Sequence, residues 1–265
     1  MRLLSAALAL ATLTPFVANA QESSPRVSSG TASAGAAAFV TDWEVIDHVP
    51  DTQSDFSATI FRNRQSGAYT LAIRGSTNLA DFTEDAALIA ADGVAVRQLA
   101  DLYNYWQRVR TAGGQTYEAA YVVIRDSLGN LPVDAISVGG SYGIVFGDSS
   151  LLADANMRLG VGKIPAGLSG ISVAGHSLGG HLSMAFTRLF PGVTSDALAV
   201  NGLGFKIGSA TVNDLFMALG GAASFSASRV QNVYGIAGPE FAAMKNSVLQ
   251  QPGGTGQEFL RGNVD

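Results

Sequence analysis

The chain has 265 residues, of which 47% are hydrophobic and 14% charged, and its formal net charge is −5. This composition excludes intrinsic disorder over most of the chain, and the acidic balance argues against a nucleic-acid partner because no broad basic surface can form. Cysteine is absent, so disulfides, thiolate nucleophiles and cysteine zinc sites are excluded together.

The N-terminus has the pattern of an export signal. Arg2 precedes the apolar stretch Leu3–Val17, and an Ala-Asn-Ala sequence that a signal peptidase can cleave follows. The stretch is shorter than the roughly 20 residues that a membrane-spanning helix needs. We therefore predict a signal peptide over residues 1–20, a flexible Ser/Gly/Ala-rich leader over residues 21–37, and bacterial export to the periplasm or the exterior.

Residues 38–265 are predicted to form one domain of alternating strands and helices. Two strand-like runs joined by a Gln-Ser-Gly turn predict a hairpin over residues 56–74. Apolar residues at helical spacing between Ala95 and Val109 predict an amphipathic helix. Further short apolar runs, typical of strands buried in a parallel sheet, lie at Tyr117–Ile124, Ile171–Ala174, Ala197–Val200 and Val230–Ile236, with two helices between the last three. This alternation predicts an α/β fold with a mostly parallel sheet flanked by helices.

The strongest signal is the sequence Gly-His-Ser-Leu-Gly-Gly at residues 175–180. It lies between a strand-like run and an amphipathic helix, which is the context of a nucleophile elbow. The strained serine of an elbow needs small residues two positions before and after it, and Gly175 and Gly179 meet this need. We predict that Ser177 stands exposed as the nucleophile and that the N–H of Leu178 donates to an oxyanion. An ordinary glycine-rich turn is the alternative.

A second G-x-S-x-G sequence occupies residues 139–143, with Ser141 at its centre. The apolar run behind it is short and is interrupted by Gly147, so no helix N-terminus follows this serine. We predict that this segment forms a loop over the active site rather than an elbow.

An earlier strand end supplies a candidate for the second oxyanion donor. The elbow architecture completes its oxyanion hole with an amide from the loop after an earlier strand. Ser76 follows the strand-like run at Leu71–Arg74 and offers a backbone N–H and a hydroxyl. A strand end followed by a simple turn is the alternative.

The sequence Ala-Ile-Arg-Gly-Ser at residues 72–76 and the sequence Val-Ala-Gly-His-Ser-Leu-Gly-Gly at residues 173–180 together resemble the class 3 lipases, which are secreted α/β-hydrolases that cleave acyl esters. The resemblance covers about residues 38–241. It implies Ser177 as nucleophile, Ser76 and the residue after the nucleophile as oxyanion donors, an acid near the end of a later strand, and a histidine after that acid. The family usually has threonine where this chain has Ser76.

The three histidines do not supply an obvious base. The triad order of this architecture is nucleophile, acid and histidine. His181, however, lies one turn along the elbow helix, His176 belongs to the turn itself, and His48 lies far upstream. We therefore hypothesise that the chain lacks its C-terminal part and that the histidine followed Asp265.

Glu240 is the candidate acid. It follows the run Val230–Ile236 after a Gly-Pro break, which could present its carboxylate beside the elbow. A surface carboxylate is the alternative, because the family more often uses aspartate.

These residues predict a secreted serine carboxylester hydrolase of lipase type that forms an acyl-enzyme on Ser177. The alternative from another class is an exported protein that binds lipids or esters without catalysis, which the absent histidine favours. A serine peptidase or thioesterase on the same scaffold is a third interpretation. No metal or cofactor is implied, and the expected partners are an ester or lipid substrate and a lipid surface.

Overall fold

The computed structural model describes residues 39–75, 89, 91–206, 208–235, 249–252 and 257–259. The predicted signal peptide and leader lie outside these ranges. Within the described ranges, no helix combines the length and the apolar character that a membrane crossing requires.

Strands form two sheets. The described strands are β1 (Trp43–Val49), β2 (Ala58–Asn63), β3 (Tyr69–Ile73), β4 (Glu118–Ile124), β5 (Ile136–Val138), β6 (Tyr142–Asp148), β7 (Ile171–His176), β8 (Thr194–Val200), β9 (Val230–Gly235) and β10 (Gln257–Phe259). The larger sheet has seven strands in the order β1-β2-β3-β7-β8-β9-β10, and the smaller sheet has the order β4-β6-β5.

The larger sheet is mixed, and its two halves differ in strand direction. Strands β1, β2 and β3 pair antiparallel, which confirms the predicted hairpin. From β3 through β7, β8, β9 and β10 every pair is parallel. Because parallel strands end at the same edge of a sheet, the ends of β3, β7, β8 and β9 lie side by side. The described residues that follow β3, β7 and β8 therefore share one edge.

Strand β4 corrects one prediction. The apolar run Tyr117–Ile124 was expected in the parallel sheet, but β4 pairs antiparallel with β6 in the smaller sheet. Within β4 only Ala119 and Ala120 are buried, because β4 is an edge strand of the smaller sheet. The side chain of Asn104 links the two layers: its Nδ2 donates to the carbonyl of Ala120 (2.9 Å), and its Oδ1 accepts from the N–H of Ala120 (2.7 Å).

The longer described helices are α1 (Val96–Arg110), α2 (Leu178–Leu189) and α3 (Ala210–Ala218), and short 3-10 turns lie at Ser149–Leu151, Ala155–Met157 and Ala227–Arg229. The three longer helices occur where apolar spacing predicts them. Helices α1 and α2 pack through Trp106 and Phe186, whose ring centroids are 5.1 Å apart in an edge-to-face arrangement. Helix α3 begins where the hydroxyl of Ser209 accepts from the N–H of Val212. Together the elements form an α/β fold.

One buried ion pair fastens α1 to the edge of the larger sheet. Arg108 on α1 donates from Nη1 to Asp47 Oδ2 on β1 at 2.7 Å, and their side chains are only 11% and 8% exposed. Removing either partner would destabilise the fold, because the other charge would remain buried without a counter-charge.

Candidate active site

Ser177 has the backbone of a strained turn between a strand and a helix. It follows β7 directly and precedes the first residue of α2, with φ 54° and ψ −120°. A non-glycine residue in such a conformation costs about 1–3 kcal/mol and persists only where its surroundings enforce it. The described chain therefore places a strained serine between a strand and a helix, in the order that the sequence predicts.

The two predicted glycines leave no room for side chains. A Cβ atom on Gly175 would overlap the carbonyl group of Gly179, and a Cβ atom on Gly179 would overlap the carbonyl oxygen of Ile73 at the end of β3. Strand β7, the turn, the first turn of α2 and the end of β3 are thus packed backbone against backbone. This contact explains why glycine stands on both sides of Ser177.

The start of α2 offers free donors beside Ser177. The first main-chain bond of the helix runs from the N–H of His181 to the carbonyl of Ser177 at 3.1 Å. The N–H of Leu178 lies before that bond, in the first turn, where a helix leaves its N–H groups unpaired. Among the described residues, no group accepts from it. The geometry leaves this N–H available to an anionic oxygen, and the helix dipole favours negative charge there.

The end of β3 lies directly against the elbow. A Cβ atom on Gly75 would be 3.3 Å from Ser177 Cβ and 2.5 Å from the carbonyl oxygen of His176. Ser76 itself lies outside the described residues, as does Glu240, which follows β9 in the chain. Their predicted roles stay predictions.

The prediction that Ser177 is exposed is wrong. The residue is only 6% exposed, and its Oγ is buried without a hydrogen-bond partner among the described residues. Two neighbouring strand ends contact the turn. Gly75 after β3 packs against it, and the carbonyl of Val200 in β8 accepts from the N–H of Ser177 at 2.9 Å. A buried hydroxyl without a partner costs about 1–3 kcal/mol.

His181 cannot serve as the base for Ser177. Its ring is fully buried and is stacked on Phe205, with centroids 4.0 Å apart. Nδ1 donates to the carbonyls of Leu203 (3.1 Å) and Gly204 (3.2 Å), while Nε2 accepts from the N–H of Ala95 (3.3 Å). Both nitrogens are occupied by backbone groups, and burial lowers the pKa of His181 to about 4. The residue is a structural, neutral imidazole.

His48 and His176 occupy different places. His48 lies on β1, three strand spacings from β7, which corresponds to about 14 Å. Its Nδ1 lies 2.9 Å from Thr59 Oγ1, and burial lowers its pKa. His176 is the exposed last residue of β7. The structure therefore brings neither His48 nor His181 to the Ser177 hydroxyl.

The second G-x-S-x-G segment is a hairpin turn. Residues 139–141 join β5 to β6, and Ser141 is exposed. The N–H of Gly139 donates to Asp214 Oδ2 on α3 at 3.1 Å. No helix follows Ser141, as the sequence predicts, and the turn is seated on α3.

Sequence reasoning missed the network that fixes the end of β8 beside the elbow. Asn201 has a φ of 48°, and the following Gly202 lies against Gly180 in α2. Asn232 on β9 accepts from the N–H of Gly202 (3.3 Å) and donates to its carbonyl (3.2 Å). Its Nδ2 also donates to Gln251 Oε1 at 2.6 Å. The Asn-Gly sequence after an apolar strand is a turn signal that could have indicated this position.

The described residues also form an open cleft with a volume of about 280 Å³, and none of residues 175–180 lines it. At one end Asp101 Oδ2 accepts from the hydroxyls of Thr52 (2.6 Å) and Ser54 (2.7 Å). Burial raises the pKa of Asp101, and these two hydrogen bonds oppose the increase. Among the described residues, no group of histidine and acidic side chains is arranged to hold a metal ion.

Comparison with known proteins gives only weak structural likeness. No protein-family model matches the chain, and no curated protein does. Among solved structures, a triacylglycerol lipase from Penicillium expansum is similar with a TM-score of 0.35 and 13% identity, over 83% of this chain and 70% of that chain. A likeness at this level assigns neither a fold nor an activity, so the chemistry is argued from the site itself.

Proposed function

We propose that the chain is a serine ester hydrolase that uses Ser177 as its nucleophile, on an α/β-hydrolase-type sheet. The observation that carries the proposal is the conformation of Ser177, which combines a strained backbone with a buried hydroxyl that has no partner. A position that is costly in both respects is more readily explained by chemistry than by packing. The free N–H of Leu178 beside it supports the same interpretation.

In the proposed reaction, Ser177 Oγ attacks the carbonyl carbon of an acyl ester and its proton passes to a base. The tetrahedral oxyanion accepts a hydrogen bond from the N–H of Leu178, and we propose the N–H or hydroxyl of Ser76 as second donor. Collapse of this intermediate expels the alcohol and leaves an acyl-enzyme, which water then hydrolyses. We propose Glu240 as the acid that orients the base. The geometry of His48 and His181 excludes both histidines as that base.

Acyl esters of lipids are the proposed substrates, and export from a bacterial cell is the proposed location. The first rests on the resemblance of residues 72–76 and 173–180 to lipase motifs, and the second on the pattern of residues 1–20.

Covalent labelling tests the nucleophile directly. We expect a fluorophosphonate to add one phosphonyl group to the purified chain, which intact-mass spectrometry detects and peptide mapping assigns to Ser177. Ser177→Ala should abolish the adduct. Ser141→Ala is the matched control, because Ser141 has the same G-x-S-x-G surroundings in sequence but lies in a hairpin turn. Labelling that persists in Ser177→Ala and disappears in Ser141→Ala would refute the proposal.

A second candidate is a protein that binds lipids or esters without hydrolysing them. The full occupation of both His181 nitrogens favours it, because the histidine nearest along the elbow helix cannot take a proton from Ser177. Absence of fluorophosphonate labelling, together with saturable binding of a fluorescent fatty-acid ester and no turnover, would favour this candidate over the hydrolase.

A further inference from the structure

The open cleft away from the elbow has the size and the lining of a small binding site. Four segments build it, namely residues 52–54, helix α1, strand β4 and residues 151–157. Its volume of about 280 Å³ lies near the lower end of the range for small-molecule pockets, which is about 300–1,000 Å³. The cleft can therefore hold a small organic molecule.

Asp101 gives the cleft a carboxylate oxygen without a hydrogen-bond donor. Its Oδ2 accepts from the hydroxyls of Thr52 (2.6 Å) and Ser54 (2.7 Å). Its Oδ1 accepts from no described group and stays open to the cleft. Burial raises the pKa of Asp101, because the charged form loses hydration there. A ligand that donates to Oδ1 would replace part of this lost hydration.

The charged side chains that line the cleft leave one negative charge in excess. Asp101 and Asp154 are the two carboxylates, and Arg97 is the one guanidinium group. Arg97 stands one turn before Asp101 on α1, but it is exposed and forms an ion pair with neither carboxylate. In the part of the chain that the structure describes, no group of three or more acidic or histidine side chains could hold a metal ion. The excess charge therefore favours a singly charged organic cation.

The hydrogen bonds of Asp101 favour an ammonium group over a guanidinium group. A guanidinium group binds a carboxylate best as a planar fork that uses both oxygens. Oδ2 already accepts two hydroxyl hydrogens, which leaves Oδ1 for a ligand. An ammonium group is a compact charge that can donate to a single oxygen. Ser54 Oγ directs its own hydrogen to Asp101, so its lone pairs can accept a second ammonium hydrogen.

The rest of the lining suits a hydrocarbon chain. Apolar side chains that line the cleft include those of Ala100, Val122, Leu152 and Met157. Burying a short alkyl chain against them removes apolar surface from water. We propose that the cleft binds a primary aliphatic ammonium ion, with its charged head at Asp101 Oδ1 and its hydrocarbon chain against these apolar side chains. This inference does not depend on the proposed hydrolase, because no residue of the elbow takes part.

An NMR titration with n-pentylammonium chloride at neutral pH tests the site. We expect saturable shifts of the backbone amide signals of residues 52–54 and 100–104. Asp101→Asn keeps the shape of the side chain and removes its charge, so it should raise the dissociation constant about tenfold or more. Asp134→Asn is the matched control, since Asp134 is an exposed acid outside the cleft, and it should bind like the wild type. The uncharged 1-pentanol should bind the wild type about tenfold more weakly than n-pentylammonium, or weaker still.

Arg97→Ala tests the charge argument independently, should Asp101→Asn fail to fold. Removing this exposed positive charge should lower the dissociation constant of n-pentylammonium about two- to fivefold, because repulsion of the ligand decreases. Arg110→Ala, at the other end of α1, is the control and should leave the dissociation constant unchanged. Weaker binding by Arg97→Ala would overturn the proposal. Equal affinities for 1-pentanol and n-pentylammonium, an unaffected Asp101→Asn variant, or shifts confined to residues 175–180 would also overturn it.

Discussion

Replacing Ser177 by alanine is expected to stabilise the protein while it removes the proposed nucleophile. The Ser177 hydroxyl is buried and has no partner among the described residues, so the folded state bears its desolvation cost. Removing such a hydroxyl should raise the free energy of unfolding by about 1–3 kcal/mol. For a domain of about 150–250 residues, each 1 kcal/mol raises the melting temperature by roughly 2–4 °C.

A glycine at the same position separates the backbone contribution from that of the hydroxyl. Ser177→Ala keeps the Cβ atom and therefore the strain at φ 54°, whereas Ser177→Gly removes both. Strain relief of about 1–3 kcal/mol outweighs the roughly 0.5–1 kcal/mol that glycine costs through its freedom in the unfolded chain. Ser177→Gly should thus be at least as stable as Ser177→Ala.

Urea unfolding followed by circular dichroism measures these differences. Ser141→Ala on the exposed turn is the control and should lie within about 0.5 kcal/mol of the wild type. A decrease of 1 kcal/mol or more in Ser177→Ala would refute the reasoning, because it would mean that the hydroxyl makes a stabilising contact in the folded protein.

Three further changes test the packing of the elbow, the buried ion pair and the buried imidazole. Gly175→Ala should lower the free energy of unfolding by about 3 kcal/mol in urea titrations and abolish ester hydrolysis, because its Cβ atom would overlap the backbone of α2. Asp47→Ala should cost about 3–5 kcal/mol by the same measurement, since it leaves Arg108 charged and without its buried partner. His181 has a pKa of about 4 in the folded protein against 6.5 in a model peptide, so the unfolded chain binds more protons between these values. The contribution of the neutral His181 ring to the free energy of unfolding is complete above pH 6.5 and falls by roughly 3 kcal/mol as the pH drops to 4. His181→Asn should reduce this pH dependence in unfolding experiments at a series of pH values.

Each of these changes has its own control and contrary result. Gly192→Ala adds a Cβ atom in open space and should be neutral, so equal effects of the two glycine variants would contradict the packing argument. Glu44→Ala breaks the surface pairs with Arg62 and Arg64 and should cost about 1 kcal/mol or less. If Asp47→Ala lowers the free energy of unfolding no more than Glu44→Ala does, the Arg108 guanidinium must be solvated by water in the variant. An unchanged pH slope in His181→Asn would assign the acid sensitivity to other groups.

The elbow could be predicted from the sequence because its requirements are local. Gly175, Ser177 and Gly179 lie within five consecutive positions, and the strand before them and the helix after them have clear apolar periodicity. The hairpin of β2 and β3 could be predicted for the same reason. The burial of Ser177 could not, because it depends on segments far away in the chain. The strand ends that contact the turn, after β3 and in β8, lie about a hundred residues before it and about twenty residues after it.

Strands β4 and β6 show why the pairing of strands could not be predicted from the sequence. Gly147 was expected to interrupt the run after Ser141, but it lies within β6, where the ring of Tyr121 covers it: a Cβ atom on Gly147 would be 3.3 Å from that ring. A cross-strand aromatic side chain thus fills the space that the glycine leaves. Such compensation depends on the partner strand, and short apolar runs contain no information about which strand that is.

The hydrogen bonds of the buried His181 imidazole act as a reversible cross-link in this cysteine-free chain. One ring joins the segment at Ala95, the segment at Leu203 and Gly204, and the helix that begins at Ser177. A covalent bridge would hold these segments under any acidity, whereas a ring nitrogen that takes up a proton exchanges an accepted bond for a repulsive donor facing the N–H of Ala95. Acid would therefore loosen the three segments together, and the position of the nucleophile would be lost along with them.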